Sequence, residues 1–129
     1  MQPDLQQAFS LYGLPVARVM LAAVFLYSGQ DKLRHWQASV AEVGTLGLPL
    51  PVVFAAATIL TQLLGGLSLA AGLEVPWGAA ILAFFTIAAT VLGHRFWLLH
   101  GSAAKQAFTT SLEHVAIVGG LLSVAIRAS

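Results

Sequence analysis

Four apolar runs alternate with short stretches rich in glycine, proline and charge. They cover residues 14–33, 52–72, 77–98 and 107–126. Each is about 20 residues long, enough for a helix to cross a hydrocarbon core about 30 Å thick. Residues 1–12 read as a polar-to-mixed lead that ends in an interfacial turn at Tyr12-Gly13. Pro15 then falls in the first turn of the first span, where a missing N–H is tolerated. Between the first two runs, Trp36, Val40 and Val43 recur at helical spacing, which suits a short helix lying at the interface. Gly47-Leu48-Pro49-Leu50-Pro51 stops that piece and launches the second span. Leu73-Glu74-Val75-Pro76 is a tight connection, and residues 99–106 form a second loop holding His100, Gly101 and Lys105. Thr109, Thr110 and Ser111 offer an N-terminal cap to the last run, with Glu113 as a carboxylate in its first turns. Connections this short make successive spans antiparallel neighbours. The predicted fold is therefore all-α: one domain over residues 1–129, an integral membrane up-down four-helix bundle with both termini on one side.

Composition excludes the soluble alternative. Hydrophobic residues make up 58% and charged residues 9% of the chain, and its mean hydropathy is +0.85. A soluble domain carries about 25% charged residues, so this chain could not cover a water-facing surface. The lipid bilayer is its first partner. A formal charge of +1 gives no field to attract nucleic acid. The absence of cysteine excludes disulfide scaffolding, thiolate metal sites and a thiol relay carried by this chain alone. The first seven residues lack the basic region of a signal peptide, so the first span is expected to stay as an anchor. Lys32, Arg34, Arg95 and Lys105 lie at the loop end and Arg127 at the other. Positive-inside reasoning places both loops in the cytoplasm and both termini outside. Small-residue pairs such as Gly66/Ala70 and Gly119/Ser123 let helices approach closely; a homo-oligomer stays open.

Polar residues within the spans supply the candidate chemistry. Arg18 lies inside the first apolar run, on one face with Phe25, Gly29 and Lys32. A guanidinium there costs about 2.5–3.5 kcal/mol on insertion scales. It either snorkels to the headgroups or turns into the bundle; the second reading is preferred, with Gln62 as first partner. Depth counting puts Lys32, His94, Glu113 and His114 in one layer near the loop end, with Gln62 below at mid-membrane and Arg18 deeper. Tyr27, Trp36 and Trp97 are candidates for the mouth. Plainer roles exist for each: a dipole-favoured helix-start carboxylate for Glu113, interfacial imidazoles for His94 and His114, an interhelical hydrogen bond for Gln62. Their coincidence in a chain with so few charges favours a site. The third and fourth spans form a hairpin in which His94 meets Glu113 or His114, whose side chains point about 100° apart. Glu113 is preferred because its face continues through the small residues Ala116 and Gly120. Paired histidines could ligate haem iron and His/Glu sets suit zinc or copper, but no HxxxH or HExxH spacing is present, so neither metal nor haem is expected. There is no hydrolase motif and no phosphate-binding glycine loop.

Several motifs in order resemble the DoxX family of small four-span membrane proteins, from about residue 16 to 126. They are Arg18 with Phe25-Leu-Tyr-Ser-Gly-Gln-Asp-Lys32, then Gly47-Leu-Pro-Leu-Pro51, then Gln62-Leu-Leu-Gly-Gly-Leu67 with Ala71-Gly-Leu73. His94-Arg-Phe96 and Glu113-His-Val-Ala with Gly119-Gly120 complete the set. The family usually shows a glutamate where this chain has Gln62, which puts in doubt any proton-carrying or ion-pairing role at that position. The resemblance implies the small membrane subunit of a quinone-linked oxidoreductase, handling thiosulfate or thiols, with quinone as cofactor and a soluble or membrane oxidoreductase partner supplying electrons. In that role His94, Glu113 and His114 would move protons, and Arg18, Lys32, Gln62, Tyr27 and Trp97 would line the ligand site. The competing class is a non-catalytic anchor, assembly or lipid- and small-molecule-binding module.

Overall fold

The computed structural model describes residues 3–128 and contains five α-helices and no strand among them. Helix α1 covers Pro3–Arg34, α2 Trp36–Thr45, α3 Pro51–Ala71, α4 Val75–Gly93 and α5 Gly101–Ala128, with a 3-10 turn at Phe96–Leu98. Four of the five are long and apolar enough to cross a membrane, so the chain is an integral membrane helical bundle.

Helix α1 starts far earlier than expected. The lead and turn assigned to residues 1–12 are helical from Pro3 onward; Met1 and Gln2 lie outside the described residues. Asp4 in the first turn suits the positive end of the helix dipole. Pro15 sits well inside α1 and not in its first turn. The missing Pro15 N–H leaves the Leu11 carbonyl without its helical donor, a loss that membrane helices tolerate. The apolar stretch of α1, Asp4–Arg34, is 31 residues, about 46 Å at 1.5 Å per residue. It overshoots a 30 Å core.

Helix α2 lies where the Trp36/Val40/Val43 spacing put it. It is tied back to α1 by buried Ser39, whose hydroxyl lies 2.9 Å from the Lys32 carbonyl and 3.0 Å from that of His35. At 21 residues, or about 31 Å, α3 matches the hydrocarbon thickness. Proline opens it, and Gly72 closes it at φ 75°, a left-handed position that favours glycine. The Ser68 hydroxyl donates to the Leu73 carbonyl and fastens the turn into α4.

The third run was expected to be helical to Leu98. Instead α4 stops at Gly93, His94 leaves the helix at φ −125°, and the 3-10 turn follows. At the far side of that loop, α5 begins at Gly101 and not near residue 107. Residues 102–106, Ser-Ala-Ala-Lys-Gln, include good helix formers that carry it back to the turn.

Helix α1 packs chiefly on α3 and α4 chiefly on α5. Contact between α3 and α4 is smaller, and that between α1 and α5 smallest of the four seams. The diagonal pairs do not meet among the described residues. The four spans thus form a ring in up-down order. Ala22, Phe25, Leu69, Ala79, Leu82 and Leu121 are its buried centre. Glycines set the spacing. A Cβ on Gly65 would stand 2.7 Å from Leu82 Cγ, and one on Gly66 2.8 Å from Leu26 Cγ. Large apolar side chains such as Phe84, Met20 and Ile126 face outward, where lipid replaces water.

Candidate functional site

A cavity of about 600 Å³ opens among α1, α3, α4 and α5 near the loop end, beneath α2. Its apolar walls include Phe25, Ala55, Phe85, Leu92 and Ile117. Two polar constellations face it from different helices.

The first joins α1 and α3. Lys32 Nζ donates to Ser28 Oγ at 2.6 Å, one helical turn back. Gln62 Nε2 donates to the same oxygen at 3.1 Å. The helices come this close because Gly29 lies between Ser28 and Gln30: a Cβ there would fall 2.9 Å from Leu63 Cγ and 3.2 Å from Gln62 Cβ. Gln62 is only 5% exposed, and its Oε1 is buried without a hydrogen-bond partner. A buried amide oxygen left unpaired costs about 1–3 kcal/mol, so this atom invites a donor.

The second joins α4 and α5. The rings of His94 and His114 meet edge-to-face, centroids 5.2 Å apart. His114 Nδ1 lies 2.7 Å from Thr90 Oγ1, which itself lies 2.7 Å from the Thr86 carbonyl. With the hydroxyl proton on that carbonyl, Nδ1–H of His114 donates to Thr90; with the hydroxyl turned to the ring, Thr90 donates to Nδ1. From α2, Glu42 adds the cavity's one carboxylate.

Four of the residues singled out by sequence therefore share one cavity: Lys32, Gln62, His94 and His114. The others do not. Glu113 is exposed, and His94 meets His114 in its place. The expectation rested on the small-residue side of α5 facing inward. In fact α5 buries its large apolar side, with Leu121 at 0% and Val124 at 2% exposure, and that side carries His114 and Ile117. Of the two small residues on the Glu113 side, Ala116 looks outward with Glu113, while Gly120 meets Leu21 of α1. Tyr27 and Trp97 are 71% and 56% exposed and do not line the cavity, nor does Trp36. Tyr27 faces outward at the depth of the middle of α3, whereas Trp97 is exposed at the loop end, where aromatic residues near a bilayer boundary sit.

Arg18 is at the other end of the bundle and far from Gln62. Its guanidinium lies against Gly72, where a Cβ would collide with Nη1. Ten residues of α3, about 15 Å, separate Gly72 from Gln62. Arg18 makes no hydrogen bond or ion pair among the described residues, and its Nε is buried without a partner. It is level with the end of α3, whose negative dipole end favours a cation. Its place near the end of the span opposite the loops is as the sequence has it; the expected partner Gln62 is out of its reach.

Ser28, Glu42, Thr86 and Thr90 went unnoticed. Three of them had a signal: Ser28 precedes Lys32 by four residues, and Thr86 and Thr90 precede His94 by eight and four, so they share helical faces. Among the described residues no group of three or more His, Asp or Glu side chains is placed to hold a metal ion.

The sequence model of the DoxX family matches residues 13–95, well over half of the chain. The chain belongs to the DoxX family. The match takes in Lys32, Gln62 and His94 and stops before α5, so His114 stands outside it. This DoxX chain is also 25% identical over 113 residues to the inner membrane protein YphA of Escherichia coli strain K12, covering 88% of the chain and 81% of that protein. No solved structure matches it.

Proposed function

We propose that this DoxX protein is the quinone-binding membrane subunit of an inner-membrane oxidoreductase complex. The observation that carries the reading is the cavity itself. A chamber of about 600 Å³ falls within the usual ligand-pocket range of about 300–1,000 Å³. It sets an ammonium and a carboxamide on one side against an imidazole pair on the other, with apolar walls between. A quinone, when bound, takes up two electrons and two protons to give the quinol. The Lys32 ammonium would donate to a carbonyl oxygen, and the unpaired Oε1 of Gln62 would accept from a hydroxyl. His94 and His114 are the imidazoles that line the cavity, and on this reading they carry its protons. Electrons come from a partner subunit that oxidises thiosulfate or a thiol, since this chain has no cysteine to relay them. Placement in the inner membrane follows the YphA likeness, and the cytoplasmic position of the loops follows the Lys/Arg bias.

The test is a titration of the purified chain in nanodiscs with decylubiquinone. Saturable binding is expected, weakened about tenfold in Lys32→Met and in His114→Ala, the loss of roughly one charge-assisted or buried hydrogen bond. No saturable binding, or affinities unchanged in both variants, would leave the anchor or assembly class in its place.

A further inference from the structure

The walls of the cavity are closed unequally. Between α1 and α3 the bundle is sealed by Gly29 against Leu63 and Gly66 against Leu26. Helices α4 and α5 are joined by the His94–His114 ring contact and the Thr90–His114 hydrogen bond. The α3–α4 seam is shut near its turn by Gly65 against Leu82 and Gly78 against Ser68; toward the loop end, Leu46 and Leu48 line the cavity alongside Phe54 and Leu92. The α1–α5 seam is different. It is the least extensive of the four, and its close approach is Gly120 against Leu21, where a Cβ would stand 3.3 Å from Leu21 Cδ2. One turn nearer the loop end are Val24 on α1 and Ile117 on α5. Both line the cavity, yet Val24 is 47% exposed. A residue that lines an internal cavity and is also half open to the outside marks an opening: Phe54, at 41%, marks one at the loop end of α3 beside Leu46 and Leu48, and Val24 marks one within the span. Both helices are membrane spans at this depth, so the opening faces lipid.

We infer that the ligand enters sideways from the bilayer between α1 and α5, and that its hydrocarbon tail stays in that opening, over Val24 and Ile117, while its head group sits in the cavity. The inference rests on the quinone reading and narrows it to a lipid-soluble quinone with a tail. The rim is apolar on both sides, and a charged or strongly hydrated ligand would gain nothing from it. Every CH₂ held against Val24 and Ile117 exchanges one apolar setting for another, so the opening guides entry and orients the head more than it adds affinity. The Leu21–Gly120 contact closes the floor of the opening and fixes how deep the tail can lie.

Tryptophan at position 24 would fill the opening from a site that already faces lipid, with little demand on the core. In nanodiscs, Val24→Trp should weaken decylubiquinone binding about tenfold and slow its association. Binding of the tail-less head group, ubiquinone-0, should change much less. Leu64→Trp, on the outward side of α3 at 63% exposure, should alter neither. Because the chain has no native cysteine, a bimane probe on Val24→Cys gives a second reading: decylubiquinone should quench it saturably, and a probe on Leu64→Cys only in proportion to quinone in the bilayer. Equal losses for tailed and tail-less quinone, or identical quenching at the two positions, would overturn the lateral opening while leaving the cavity as the head-group site. Failure of both quinones to bind the unaltered chain would remove the quinone reading itself.

Discussion

Gly65→Val is expected to destabilise the bundle by about 2–3 kcal/mol, the upper part of the range for forcing extra methyl groups into a packed interior. A Cβ at Gly65 would stand 2.7, 2.8 and 3.0 Å from three carbons of the Leu82 side chain. Leu82 is itself fully buried, so it has nowhere to retreat. A valine also brings two methyl groups beyond that Cβ. The contrast is Gly119→Val. Nothing lies within 4 Å of a Cβ there, and the change should stay within about 0.5 kcal/mol. Denaturant titration of the two variants in detergent, followed by helical circular dichroism, measures both. Similar losses at the two positions would mean that α3 and α4 are not held at the separation described.

Loss of the imidazole pair should have the largest effect on activity. On the quinone reading proposed above, quinone reduction driven by thiosulfate or a thiol in native membranes should fall about 100-fold in His94→Ala and in His114→Ala. That is the low end of what a positioned proton donor contributes, about 10²–10⁴-fold. The double variant should lose little more than either single one, because rings 5.2 Å apart act as one unit. Glu113→Gln should remain within about twofold of the unaltered protein, since Glu113 faces outward. Additive losses at His94 and His114, or a large effect at Glu113, would move the proton-handling group elsewhere.

Periodicity and length were enough to read the four spans, the interfacial helix and the up-down order, because a membrane helix must satisfy its backbone internally and so declares itself over some 20 residues. Helix ends were less legible. Nothing in Asp4 to Tyr12 announces a helix by hydropathy, and Pro15 reads as a start signal; continuity through it depends on tolerating one unpaired carbonyl. The shared depth of Lys32, His94 and His114 followed from counting residues. Rotation did not. Whether Glu113 or His114 turns inward depends on which side of α5 buries its leucines, a property of the whole bundle. The depth of Arg18 was legible by the same counting, but its partner was not: Arg18 lies beside Gly72, at the end of α3, ten residues from Gln62.

The most direct test of the cavity is photolabelling of the full chain, in its own membranes, with an azido-substituted quinone, followed by peptide mapping. The label should fall on α1 between Val24 and Lys32 and on α5 between His114 and Ile117, and an excess of unlabelled quinone should abolish it. Label confined to lipid-facing positions such as Phe84 and Ile126, and indifferent to competitor, would contradict a quinone site in this bundle.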